Sequence, residues 1–180
     1  ALAVGAFAAM LVSYYYTGTA DDLTRKATSS ANGFRMYTRS DYRAAAQQTV
    51  SSYEDKSSLE LQFLDTTGAV LYSGNDLTAG SMPGTPDIQQ ALNELSTKSW
   101  KGRDPSTGER ILAASSPVIY QGEVVGMIRY VTSLSEIDRQ FVFTMAVISA
   151  IALGIFATVY FSNSYFVRSI VEPLAGITET

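Results

Sequence analysis

The chain has 180 residues, 46% hydrophobic and 17% charged, with a formal net charge of -4. No block of lysines or arginines is present to neutralise a run of phosphates, so the charge pattern argues against nucleic acid as a partner. Cysteine and histidine are both absent, which excludes disulfides, thiolate and imidazole metal ligands, a serine-histidine triad and a histidine phosphoacceptor within these residues.

The hydrophobicity is concentrated at the two ends. "ALAVGAFAAMLVSYYY" opens the chain, and no charge appears before Asp21. It predicts a first transmembrane helix over residues 1–16 that lacks its cytoplasmic start, with Tyr14, Tyr15 and Tyr16 as an interfacial aromatic anchor. A signal peptide is the alternative.

A helix is expected next, from Leu23 to about Tyr53. Leu23, Ala27, Phe34, Tyr37, Ala45 and Val50 recur at three- and four-residue spacing, broken only by Gly33. Arg25, Arg35, Arg39, Asp41 and Arg43 form its solvated face. The period then changes. "LELQFLDTTGAVLYSG" reads as two strands around the turn Asp65 to Gly68, and "NDLTAGSMPGTP" as a loop. "PDIQQALNEL" opens a helix with Pro86 in its first turn and Asp87 favourable to the helix dipole. "KSWKGRD", "ERILAASSPVIY" and "EVVGMIRYVTS" are three further strands, linked by "PSTG" and by the tight turn Tyr120-Gln121-Gly122. The expected fold class is therefore α+β, an antiparallel five-stranded sheet with helices on its faces.

The exit from the sheet, "SLSEIDRQFVF", offers Ser133 or Ser135 as helix N-cap and contains no proline or glycine until Gly154. It leads into "FVFTMAVISAIALGIFATVYF", eleven of whose residues are Leu, Ile, Val or Phe. At their transfer energies these favour membrane insertion by about 5 kcal/mol, and a second transmembrane helix is expected over residues 140–161. Both spans carry small residues four apart: Ala1, Gly5, Ala9 and Ser13, then Ala146, Ala150, Gly154 and Thr158. Such stripes let helices approach closely, as in a homodimer.

After the second span, "SIVEPLAGITET" places Leu174 and Ile177 on one stripe of a helix restarting at Pro173. In that position it resembles the first helix of a HAMP linker, the coiled-coil relay just inside the membrane in sensor kinases and chemoreceptors. The resemblance implies that residues 162–180 are the start of a cytoplasmic linker and that residues 17–139 are extracytoplasmic.

The order long helix, two strands, loop and helix, three strands is similar to the Cache or PDC family, PAS-like sensor domains held between two membrane spans. "FLDTTGAVLYSG" looks like that family's opening hairpin and "SSPVIYQGEVVGMIRYVTSLSEID" like its last two strands and exit helix. The resemblance implies a PAS-like sheet packed on the long N-terminal helix. It also implies a ligand site on the opposite sheet face, beneath the loop and short helix. Tyr72, Trp100, Arg103, Arg110, Ser115, Tyr120, Arg129 and Tyr130 are the candidates to line such a site, and an arginine with an aromatic wall suits a carboxylate. The alternative is that these are ordinary surface and core residues. Ser135, Ile137, Gly154, Pro173, Leu174 and Ile177 are the expected transmission residues. No metal site is expected, because Asp21 with Asp22 and Glu54 with Asp55 lack calcium-loop spacing.

The functional expectation is the signal-input portion of a bacterial two-component sensor histidine kinase. It would be a multi-pass membrane homodimer in contact with lipid, responding to an unknown small molecule or physical stimulus. The fragment itself is not expected to be an enzyme or to hold a cofactor. Kinase chemistry, with ATP and magnesium, and a response regulator would belong to the full-length protein beyond Thr180. A chemoreceptor, a cyclic-dinucleotide enzyme or a membrane-anchored structural or adhesion module are the alternatives.

Overall fold

A computed structural model describes residues 2–54, 59–74 and 79–166. The elements are α1 (Leu2–Gly33), α2 (Arg39–Ser52), β1 (Glu60–Leu64), β2 (Val70–Ser73), α3 (Pro86–Glu94), β3 (Lys98–Arg103), β4 (Arg110–Tyr120), β5 (Glu123–Ser133) and α4 (Leu134–Phe166). They fall into two compact units, Ala1–Ser135 and Glu136–Thr180.

In the first unit the strands form one sheet in the order β2-β1-β5-β4-β3, and every neighbouring pair is antiparallel. Three of these pairs are hairpins of consecutive strands. The fourth joins β1 to β5, bringing the beginning and end of the sheet-forming chain together at its centre. The hairpins were legible from their turns. At the β4–β5 turn Gln121 and Gly122 take φ of 49° and 87°, the paired positive angles of the tight turn expected there. The β1–β5 pairing has no local signal, because it is fixed by which strands must be buried on both faces.

Strand alternation sorts the side chains onto two faces. Toward α1 and α2, Phe63 packs against Phe34 and Tyr42, and the Tyr130 hydroxyl lies 2.9 Å from that of Ser30. Toward α3, Leu64 and Met127 pack with Ile88 and Ala91. Ile111, Ala113 and Val131 form a second cluster under Trp100. The sheet is thus covered on both sides.

The single helix expected from Leu23 to Tyr53 is two helices. α1 ends at Gly33, and Thr38 caps α2 by accepting the Asp41 amide on its hydroxyl. Between them Phe34 turns onto the sheet to meet Tyr42 and Phe63. The helical stripe is thereby rephased. Leu23, Ala27 and Ala31 are buried on α1, whereas on α2 Tyr42, Ala46 and Val50 are buried and Ala45 is not. The arginines expected on the solvated face, together with Asp41, are exposed.

Two membrane helices were expected, and among the described residues one helical stretch is long and apolar enough to cross a membrane, Val142–Asn163 in the second unit. Its large side chains are bare, with Phe143 71% and Phe156 76% exposed. The segment expected as the first span is helical within α1, which continues unbroken to Gly33. Pro173, Leu174 and Ile177, and with them the linker-like stretch, lie outside the described residues.

Candidate ligand site

Arg129 occupies the middle of β5 on the α3 face and is 1% exposed. A guanidinium so buried must have its donors satisfied, and three neighbours do this. Its Nε donates to Asp87 Oδ2 at 2.9 Å, one terminal nitrogen to Gln62 Oε1 at 2.8 Å, and the other to Thr85 Oγ1 at 2.9 Å. Asp87, 0% exposed, also accepts from the Ser115 hydroxyl at 2.6 Å on the same oxygen.

Each partner is delivered by a different element. Gln62 and Ser115 stand directly across the ladder from Arg129, on β1 and β4. Thr85 and Asp87 bracket Pro86 at the start of α3. Thr85 is the N-cap, yet its side chain makes no capping bond, because its oxygen is turned to the guanidinium. The cluster extends toward the sheet edge through Gln62 Nε2 and the Ser73 hydroxyl, which both donate to Glu60. Two buried polar atoms have no partner among the described residues: Asp87 Oδ1 and the Ser81 hydroxyl. Ser81 precedes α3, and Asp87 lies in its first turn.

Asp104, at the β3–β4 turn, feels the same charge. Burial pushes its carboxyl up, but hydrogen bonds from Ser106 and Thr107, together with the field of Arg129, hold it below the ordinary carboxylate value.

Of the candidate residues, Ser115 and Arg129 are brought together on Asp87. Trp100 lies on the same face, one row along, packed with Ile111, Ala113 and Val131. Tyr130 points the other way, to Ser30 on α1. Arg103 and Arg110 face each other across the β3–β4 hairpin, and Arg103 donates to the Gly108 carbonyl. Tyr120 stands at the opposite end of β4, beside Gln121, and Tyr72 of β2 pairs with Phe63 of β1. Sequence reading missed Asp87 as a partner of Arg129, assigning it only to the helix dipole. It also passed over Gln62, whose polar side chain between Leu61 and Phe63 was the available signal. Of the residues expected to transmit, Ser135 donates to Glu109 at 2.9 Å, and its amide is accepted by Ser133, the residue before α4. Ile137 and Gly154 lie within α4.

No family model matches this chain, and no curated protein matches it. Solved structures do. The sensor domain of the Vibrio cholerae histidine kinase DctB aligns with 72% of this chain and 54% of its own length, at 16% identity and a TM-score of 0.54. The Escherichia coli DcuS sensor domain aligns with 68% of this chain and 96% of its own, at 17% identity and a TM-score of 0.47. The ligand-binding domain of the Pseudomonas aeruginosa amino acid chemoreceptor PctC, solved with GABA, aligns with 73% and 59%, at 19% identity and a TM-score of 0.44. The chain thus spans little more than half of the DctB and PctC domains. With the DctB sensor domain it shares a fold.

Proposed function

We propose that this chain is the signal-input part of a membrane sensor histidine kinase, in which a small carboxylate is sensed at Arg129 and the response leaves through α4. The supporting observation is the buried Arg129–Asp87 pair, whose arginine stands on the strand that runs into α4 without an intervening loop. Arg129 already holds a carboxylate at hydrogen-bond distance, so its surroundings suit that chemistry. Asp87 would be the internal occupant. A ligand carboxylate would take its place on the guanidinium, and α3, released at its first turn, would shift against the sheet. Kinase chemistry, its ATP and magnesium, and a response regulator would belong to the protein outside residues 1–180.

An internal competitor lowers apparent affinity in proportion to the time it occupies the site. Asp87→Ala should therefore tighten binding of small mono- and dicarboxylates, and Arg129→Gln should abolish it. Calorimetric titration of the full chain in detergent micelles reads both. Unchanged affinity in both variants would remove Arg129 as the site. The kinase assignment is checked separately, by phosphate transfer from ATP in the full-length receptor. A receptor that bound ligand but incorporated no phosphate would be a sensor of another output class.

A further inference from the structure

We propose that the β3–β4 hairpin is a latch on the start of α4, closed by Glu109. Glu109 stands immediately before β4 and offers one carboxylate oxygen, Oε1, to the junction of β5 and α4. The Ser135 hydroxyl donates to it at 2.9 Å, and the Ser133 hydroxyl donates to it as well. Ser133 in turn accepts the Ser135 amide at 3.2 Å. A carboxylate oxygen accepts two donors at once, and bonds to an ionised acceptor are about twice as strong as neutral ones. The closure therefore depends on the charge of Glu109.

The turn that carries Glu109 is organised independently of the junction. Asp104 accepts the Ser106 and Thr107 amides on its carboxylate at 2.7 and 3.2 Å. The Asp104 amide donates to the Glu109 carbonyl at 2.8 Å, and the Gly108 amide to the Asp104 carbonyl at 2.8 Å. Arg103 adds a bond to the Gly108 carbonyl at 3.0 Å. The backbone of Glu109 is held by its own turn, so its side chain reaches the junction from a fixed point.

Leu134, the first residue of α4, is 0% exposed. A single buried anchor fixes where a helix starts but leaves it able to turn about that point. The Glu109 bonds fall on the residues either side of Leu134 and remove this freedom. With the latch closed, the first turn of α4 follows the β3–β4 edge of the sheet as well as β5. That edge meets other elements: Lys98 pairs with Glu94 at the end of α3, and Thr97, beside β3, meets Thr28 of α1. A displacement of α3 then has a second route to α4, through β3 and the latch. In its signalling role this inference rests on the proposed function; the latch itself does not.

The test is hydrogen exchange, read by mass spectrometry on the full chain in detergent micelles. The readout is residues 138–141, whose amides bond to the carbonyls of the first turn of α4. Glu109→Ala should raise exchange there by about tenfold, the loss of one net hydrogen bond to a charged group, and Ser135→Ala by about threefold. The double variant should stay near tenfold, because Ser135 acts through Glu109. Glu109→Gln should fall between wild type and Glu109→Ala, since its amide oxygen still accepts. Glu123→Ala, at the exposed start of β5, should change nothing. No change in Glu109→Ala, or multiplied effects in the double variant, would overturn the latch. A rise in exchange within β5 as well would make Glu109 a support of the sheet and overturn it too. In the full-length receptor, Glu109→Ala should shift the unstimulated incorporation of phosphate from ATP. Unchanged resting output and response despite faster exchange would overturn the signalling role. A wild-type receptor that incorporates no phosphate would refute the kinase reading, and the exchange cycle would then decide the latch by itself.

Discussion

Arg129 and Asp87 illustrate how far a buried charge depends on its partner. Removing one member of such a pair leaves the other uncompensated in a low-dielectric interior, at a cost of about 3–5 kcal/mol, whereas replacing both with apolar residues is often close to neutral. Arg129→Met and Asp87→Leu should each destabilise the first unit by about that amount, and the double variant should recover most of it. Denaturant unfolding followed by circular dichroism measures the cycle, and additive losses would show that the pair is not coupled. Gly126 is a second residue whose identity is set by a neighbour. A Cβ there would lie 2.2 Å from the Tyr42 ring. The Tyr42 hydroxyl is 2.6 Å from the Met127 carbonyl and 3.1 Å from that of Leu64, and burial pushes its pKa up. Gly126→Ala should cost about 1–3 kcal/mol by overpacking. A melting temperature equal to wild type would mean that Tyr42 swings aside freely.

Among the elements, the β1–β2 turn carries a pH dependence. Burial pushes the Asp65 carboxyl up, but bonds from the Thr67 hydroxyl and the amides of Thr67, Ala69 and Gly68 outweigh it and hold the pKa below the ordinary value. A group depressed in the folded state contributes stability above its unfolded pKa of about 3.9 and loses it as pH falls through the lower folded value. Acid unfolding of the wild-type chain should therefore steepen below about pH 4, and Asp65→Asn should flatten that limb. Identical acid profiles would show that the turn does not contribute. This turn was legible because Asp65 and Gly68 announce it locally, and Gly68 indeed takes φ of 88°. The break at Phe34 was not, since an aromatic residue fits a helical stripe as well as a plug. Only its contacts with Tyr42 and Phe63 decide between them. The same limit applies to the site. Ser115 and Arg129 could be picked out as candidates, but Asp87 and Gln62 join them only through the β1–β5 pairing and the docking of α3, which no local pattern encodes.

For the whole molecule, the proposed transmission depends on how β5 ends. Ser133 closes the strand and caps the helix that starts at Leu134, and Glu109 gathers the hydroxyls of Ser133 and Ser135, tying the strand end to the β3–β4 hairpin. α4 then runs as one helix to Phe166 and contains the apolar stretch Val142–Asn163. If the proposed sensor signals through this helix, helical continuity after Ser135 is what carries a displacement of β5 onward. Inserting Gly-Gly between Ser135 and Glu136 should cost about 1 kcal/mol per glycine and add a flexible point while leaving the Arg129 cluster untouched. The expected outcome is a full-length receptor with wild-type ligand affinity and an output that no longer tracks the stimulus. Inserting Ala-Ala at the same place keeps the helix continuous but turns the remainder of α4 by about 200°. It should instead shift the basal output while leaving a response. A normal stimulus response from the Gly-Gly receptor would rule out transmission by helix continuity, and a shared loss of response in both variants would point to spacing rather than stiffness as the quantity being read.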